Sequence, residues 1–498
     1  GGGACGLHRL FQSLCDPVTV VFEMGTVEDN ANRIITAPTL VQGLLGLPVR
    51  QICCGGQHAA VLTQGLGQIF TWGRGGFGRL GHGNTDTQEA PRLVETLKNV
   101  VCCQVACGFA YTAAVTVEGL LYTWGAGENG RLGLGDVEDR HRPCLVEELS
   151  HTPVRQVFAG SVHTCVLTRL GQVYSFGKHE YTGHGCASAS TTTTTATDGG
   201  GLERGQQGDV LLPKLLRDAF GDKHVAQISV GPGGYHTIAL TTDREVYTWG
   251  HNRVGQLGYS NSDVVHARNG EGAHFLPTPK AVASMKALSV RQVVAGWGHS
   301  AVLTMAGEVL ICGRNFQGQL GLGDPAGFPK NERNHPYQAQ FVPIDTLAGK
   351  RIKQIACGGE HSVALTEGGE VFTFGAGNKG QLGLGTAGTG GSGGGEGAGE
   401  GLGNEHYPAL LVGLKRTRRE VQQVACGNNC TLILAGAFLA PTLRQRCVEV
   451  IRSSSQMMDQ IESWAPCLPS ELADEIKASP DLSHSTGNSK STQMHAGC

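Results

Sequence analysis

Three short motifs recur in fixed order along this 498-residue chain, and such a chain folds as an array of like units instead of around one compact core. The first motif, V-x-Q-I/V-x-C/A/V-G-x-x-H-S/T-x-x-L-T, starts at Val49, Val154, Val225, Val290 and Ile352, with altered copies from Cys102 and Val421. The second is a strand ending in glycine, followed by G-Q/R-L-G. It runs from Gln68 to Gly73, Leu120 to Gly125, Gln172 to Gly177, Glu245 to Gly250, Glu308 to Gly313 and Glu370 to Gly375. The third is a short strand at Pro38, Pro91, Pro143, Pro213, Pro279 and Pro408, with Phe341 in the equivalent place. Strings such as Val-Tyr-Thr-Trp alternate apolar and polar residues, the period of a half-buried strand.

Counting the motifs decides the architecture. The glutamine of the first motif stands at 51, 104, 156, 227, 292, 354 and 423, seven copies, whereas the second motif is intact six times. The copy at Val421 to Leu434 has no second motif after it, and an unmatched strand, Val18-Thr-Val-Val-Phe-Glu-Met-Gly, precedes the first complete unit. The chain begins and ends partway through a repeat. Pairing the two half-units closes a ring without leaving bare sheet edges. The expectation is an all-β, seven-bladed β-propeller over residues 18–434, with its N- and C-terminal strands in one blade. An N-terminal extension (1–17), a helical appendage (435–478) and a disordered tail (479–498) complete it. Leu443, Cys447, Ile451, Met458 and Ile461 form one apolar stripe of the helix expected from Pro441 to Trp464, and a shorter helix is expected from Ser470 to Ala478.

Composition narrows the function. Glycine contributes 76 residues and charged residues 16%, which suits an all-β chain rich in tight turns. A net charge of −3 gives no general attraction to nucleic acid or anionic membrane, so direct DNA binding is disfavoured. The 17 cysteines lack C-x-x-C spacing and sit mostly in apolar runs such as Gln51-Ile-Cys-Cys-Gly, where a reduced thiol packs as a small hydrophobe. That usage points to a reducing, intracellular location, cytoplasmic in preference to nuclear. No run of 18 apolar residues offers a membrane span. The opening Gly1-Gly-Gly-Ala-Cys is unlike a signal peptide and lacks an initiating Met, so a longer parent chain is expected.

Cys357-Gly-Gly-Glu-His-Ser-Val-Ala-Leu-Thr, Val371-Phe-Thr-Phe-Gly and Gly380-Gln-Leu-Gly-Leu-Gly closely resemble the repeats of the regulator of chromosome condensation family. The resemblance covers residues 18 to 434 and implies a seven-bladed propeller closed within one blade. It leaves function open, because the family includes a nucleotide exchange factor for the GTPase Ran, a plant UV-B photoreceptor, and domains attached to ubiquitin ligases, kinases and trafficking proteins. The resemblance implies that an exchange factor would use a protruding β-wedge and acidic residues just before the repeat histidine. Here those places hold Gln57, Ala110, Val162, Tyr235, Gly298, Glu360 and Asn429, a single acid. The photoreceptor's motif repeats as Gly-Trp-Arg-His. This chain has one copy, Gly296-Trp-Gly-His-Ser with Gly298 in place of the Arg, and one indole cannot form a coupled cluster.

His58, His163, His236, His299 and His361 recur at one motif position, with Tyr111 and Cys430 in the other two copies. One histidine per blade, replaced twice, argues against a metal ring. Each is read as structural, satisfying local backbone groups. Trp72, Trp124 and Trp249 share a position with Phe and Cys and read as packing. Gly390-Gly-Ser-Gly lacks the Gly-Lys-Ser/Thr of a phosphate loop, and Lys415-Arg-Thr-Arg-Arg419 reads as a solvated loop. No nucleophile–base pair, metal set or cofactor loop converges in the repeats.

The expectation is therefore a cofactor-free, non-enzymatic interaction scaffold or adaptor that takes a protein partner. Its rival is a guanine-nucleotide exchange factor for a Ran-like small GTPase. Four insertions fall in one phase of the repeat, Cys186 to Leu212, Asn261 to Thr278, Asp324 to Gln340 and Thr386 to Tyr407, and would crown one face of the disk. Candidate partner contacts are Phe275, Leu276, Phe328 and Tyr337 in two insertions, and Lys178 and Arg314 in turns. Glu180 and Tyr181 join them from the atypical turn Gly177-Lys-His-Glu-Tyr-Thr-Gly-His-Gly.

Overall fold

The computed structural model describes residues 19–26, 34–185, 208–217, 219–259, 267–268, 274–385, 403–417 and 419–436. The N-terminal extension, the helices expected over 441–464 and 470–478, and the tail lie outside the described residues. So do parts of three insertions, 186–207, 260–266 with 269–273, and 386–402.

Seven antiparallel sheets follow one another as blades. Blade I is Val49–Cys54, His58–Thr63, Ile69–Gly73 and Gln88–Leu93, and blades II to VI repeat that order from Cys102, Val154, Val225, Val290 and Ile352. Blade VII joins the two ends of the ring in the order Ile35–Leu40, Thr19–Gly25, Cys430–Gly436, Val421–Cys426. Thr19 lies opposite Gly436 and Gly25 opposite Cys430, so the N-terminal strand pairs along its whole length with the C-terminal one. The expected closure holds, and the last strand runs to Gly436 instead of ending at Leu434. Blade IV carries a fifth, two-residue strand, Ala267–Arg268, paired with Phe275 and His274.

The burial of each strand follows from its place in the blade. Second strands such as His58–Thr63 and His299–Thr304 are buried at every residue, because both sheet faces meet a neighbouring blade. The apolar residues form seven clusters, one at each blade junction. At the closing junction, Val21, Leu432 and Leu434 of blade VII pack on Val49, Ile52 and Trp72 of blade I. The expectation for Trp72, Trp124 and Trp249 is met, since all three are buried within these clusters.

First strands lie innermost, each against the first strands of both neighbouring blades. A bulge ahead of the motif glutamine turns its amide toward the next blade. Gln51 Nε2 donates to Val105 O at 2.9 Å while Gln51 Oε1 accepts from Val105 N at 3.1 Å. Gln104, Gln227, Gln292 and Gln354 make the same two-bond bridge to Val157, Val293, Ile355 and Val424. Gln423 Oε1 accepts from Ile52 N at 3.2 Å across the closing junction. Between blades III and IV the bridge is missing: Gln156 Oε1 is buried without a partner, and Arg155 Nη2 donates to Ala226 O at 2.9 Å instead.

Two faces result. The loops joining first to second strands lie beside those joining third to fourth strands, as where Arg314 N donates to Gly298 O. All four insertions interrupt the latter loops, so this is the loop face. The opposite, turn face carries the turns between second and third strands and the connections to the next blade, as where Gln64 N donates to Pro48 O.

The glycine ending G-R-L-G in blade I shows why that motif is needed. Gly81 has φ 79°, and a Cβ there would lie 2.8 Å from Trp124 Nε1 of blade II. Gly81→Ala meets both the backbone penalty and a ring that cannot retreat, so it should cost about 3 kcal/mol. Urea denaturation checks this; an unchanged midpoint would refute the inter-blade packing.

Candidate functional site

Each repeat histidine begins a second strand and is fully buried. Its partner is a hydroxyl of the next blade, not the local backbone expected from sequence. His58 Nε2 lies 2.8 Å from Thr112 Oγ1, His163 2.9 Å from Thr237, His236 2.8 Å from Ser300, His299 2.9 Å from Ser362 and His361 2.9 Å from Thr431. Thr112, Ser300, Ser362 and Thr431 each donate their one proton to a carbonyl, at Arg79, Gln256, Gln319 and Gln381. Those hydroxyls must therefore accept from the imidazole Nε2–H, which leaves Nδ1 unprotonated. Tyr111 does the same work across the next junction, 2.7 Å from Thr164 Oγ1. At the seventh position Cys430 replaces the histidine, and the hydroxyl position of blade I is Ala59. Donor and acceptor disappear together.

Burial, with the Arg79 charge adding to it, holds His58 well below its ordinary value. Burial is also the leading cause that pushes His163, His236 and His299 down to about 3 and His361 to about 4. In the unfolded chain each takes up a proton near pH 6.5. Their contribution to stability is thus complete above about pH 6.5 and is lost as pH falls through the window toward the folded values. Each proton contributes up to about 1.4 kcal/mol per pH unit, so five contribute about 7. Urea midpoints should fall steeply between about pH 6.5 and 5, and His163→Gln, which keeps a donor for Thr237, should lower the slope by about one proton. A midpoint level across that range would contradict the neutral imidazoles.

On the loop face, side chains from several blades meet beside the axis. Trp297 sits between the first two strands of blade V, and Arg314 ends its third strand. The Arg314 guanidinium lies 5.0 Å from the centre of the Trp297 ring and 5.5 Å from that of Phe316. Its Nη2 is 3.1 Å from Glu360 Oε1 of blade VI. His335, from the blade V insertion, packs edge-on to Phe316 at 5.4 Å. Phe109 of blade II and Trp297 both approach the bare Cα of Gly233 in blade IV, with ring atoms 3.4 and 3.8 Å from where its Cβ would stand. Trp297, Phe109 and Phe316 remain 37%, 39% and 45% exposed. A stacked, part-desolvated arginine between exposed rings is suited to gripping a protein surface.

The sequence-selected contacts divide into two groups. Arg314 and Tyr337 lie opposite each other in blade V, and Tyr337 N donates to Pro329 O within the insertion that also carries Phe328. Phe328 and Tyr337 are half-buried. The second group stands at the junction of blades III and IV. Lys178 Nζ lies 3.3 Å from Glu180 Oε2 and 6.0 Å over the Tyr181 ring, within a one-turn helix, His179–Thr182. Tyr181 packs against Tyr235 of blade IV at 5.5 Å. Here the structure corrects the sequence reading. Glu180, Tyr181, Phe275 and Leu276 are only 8%, 5%, 3% and 6% exposed, because the helix and the extended strand His274–Ala281 pack on each other. Tyr181 packs toward blade IV and Leu276 toward blade V, and all four side chains are buried away from a partner. Phe109, Phe316 and the Arg314–Glu360 pair were missed, since motif position alone does not reveal which blades face each other across the axis.

A groove of about 720 Å³ runs between the outer strands of blades III and IV, lined by His184, Lys214, Arg217 and Pro279 among others, with no acid–base pair. Among the described residues, no group of three or more His, Cys, Asp or Glu is placed to hold a metal ion. None of the described helices is long and apolar enough to cross a membrane.

A closed ring of seven like blades, bridged by glutamine and histidine side chains, defines a repeat propeller that presents two broad faces. The chain belongs to the RCC1-like domain family: that family's model matches residues 21–392, and the model of the regulator of chromosome condensation (RCC1) repeat matches residues 368–434. It is 32% identical over 352 residues to the ultraviolet-B receptor UVR8 of Arabidopsis thaliana, covering 70% of each chain. It is 31% identical over 401 residues to the E3 ubiquitin-protein ligase HERC2 of Homo sapiens, covering 80% of this chain and 7% of the ligase. The fold is shared with Prp20p of Saccharomyces cerevisiae, at TM-score 0.65 and 21% identity over 89% of this chain and 98% of that one.

Proposed function

We propose that this propeller is a non-enzymatic, cytoplasmic scaffold that docks a protein partner on its loop face. The observation that carries the reading is the Trp297–Arg314–Phe316 stack, set in the loops of blade V with both rings still part-exposed. Aromatic and arginine side chains of this kind dominate the energetics of protein interfaces. The insertion carrying Phe328 and Tyr337 would extend the contact, and Lys178 would lie at its edge.

The rival function is nucleotide exchange on a Ran-like small GTPase. It draws support from the likeness to Prp20p, whose structural description includes binding to Gsp1p and histones. Against it, the one acid ahead of a repeat histidine, Glu360, is already paired with Arg314. Recovery of partners by immobilised protein, compared with Trp297→Ala/Arg314→Ala, tests the scaffold reading. A specifically bound protein should fall at least about tenfold in the double variant, the effect of losing one to two hot-spot residues. Release of labelled nucleotide from the GTPase by sub-stoichiometric protein would overturn the scaffold reading in favour of exchange.

A further inference from the structure

The second residue of each first strand stands at the turn-face mouth of the central channel. These positions hold Arg50, Cys103, Arg155, Ala226, Arg291, Lys353 and Gln422, four cations and no acid. Two of the arginines reach across to the next blade. Arg155 Nη2 reaches Ala226 O, and Arg291 Nη2 reaches Ile352 O at 2.7 Å and Lys353 O at 2.9 Å, each on the following blade. The Arg50 charge likewise acts on the Cys103 thiol. Arg50, Arg155 and Lys353 are exposed, and none of the four cations forms an ion pair with a described carboxylate.

The next ring outward has a different character. Its turns set Arg169 and Arg244 among Glu118, Asp243, Glu245, Glu308, Glu367 and Glu370, so positive charge is in excess only at the axis. The same turns expose large apolar side chains, with Leu66, Leu170 and Met305 at 69%, 72% and 55%. Adjacent turns touch where Arg169 Nη2 donates to Val117 O at 2.6 Å.

We propose that this mouth binds a protein segment bearing carboxylates flanked by apolar side chains. Arginines present paired N–H donors that match a carboxylate, and cations set around one axis add their fields at its mouth, where no acid stands among them. The exposed leucines and Met305 take the apolar flanks, which a bare polyphosphate would leave in water. The inference rests on the reading of the chain as a protein-binding scaffold, but it concerns the opposite face and a separate set of residues.

The test uses the full chain and a fluorescein-labelled peptide of alternating Glu and Leu, followed by fluorescence anisotropy. Saturable binding is expected. It should weaken at least about tenfold in Arg50→Glu/Lys353→Glu, in Leu66→Ser/Leu170→Ser, and for the peptide with Ser in place of Leu. The charge-reversal variant should keep its unfolding temperature, because neither side chain makes a hydrogen bond among the described residues. No saturable binding, or equal affinity in the variants, would overturn the proposal. So would inositol hexakisphosphate displacing a Ser-substituted peptide that binds as well as the Leu one, which would show that the mouth reads anions alone. Failure here, with partner recovery still dependent on Trp297 and Arg314, would leave the loop-face reading intact.

Discussion

Contact between neighbouring blades is the constraint on which this protein depends. A four-stranded sheet whose second strand is apolar on both faces cannot be stable in water, and each blade acquires its core only when two others flank it. The polar groups obey the same geometry. First strands turn unpaired N–H and C=O groups toward one another around the axis, and leaving such a group buried and unbonded costs about 1–3 kcal/mol. The glutamine amide, with one donor and one acceptor at fixed spacing, satisfies both at once. Five junctions use the full two-bond form and a sixth uses half of it.

The histidine–hydroxyl pairs are a second set of links, placed near the loop-face ends of the second strands. Their pattern shows that the unit is the pair. Tyr111 keeps the bond to Thr164, whereas Cys430 meets Ala59 and no hydrogen-bonding side chain is stranded. The closing junction instead relies on apolar packing and on the seven-residue pairing of Thr19–Gly25 with Cys430–Gly436. Blades III and IV depart differently. There Gln156 is unbridged, and the helix His179–Thr182 and strand His274–Ala281 pack in compensation.

A ring fastened in this way makes rigid mounts of its strand ends. Side chains far apart in sequence, such as Phe109, Trp297 and Glu360, are held near one another because their strands end on the same face. The faces then differ in chemistry. One gathers aromatic rings around a stacked arginine, while the other sets cations about the axis within an apolar margin. A net charge of −3 conceals both, since it averages over positions that the fold separates.

The number of blades, the shared closing blade and the phase of the insertions were legible in the sequence, because repeats placed in register count themselves and a half-unit at each end requires a partner. Buried tryptophans were legible for a related reason, as their motif position holds Trp, Phe or Cys and so tracks apolar packing. What each histidine bonds was not legible: its partner lies between 54 and 74 residues away, in the following blade. Nor was the burial of Tyr181, Phe275 and Leu276, which look like surface side chains of a turn and an insertion until the neighbouring blades cover them. Periodicity along the chain dictates which residues are equivalent. Only closure of the ring decides which of them become neighbours, since distances across the axis and between blades do not exist until every junction has formed.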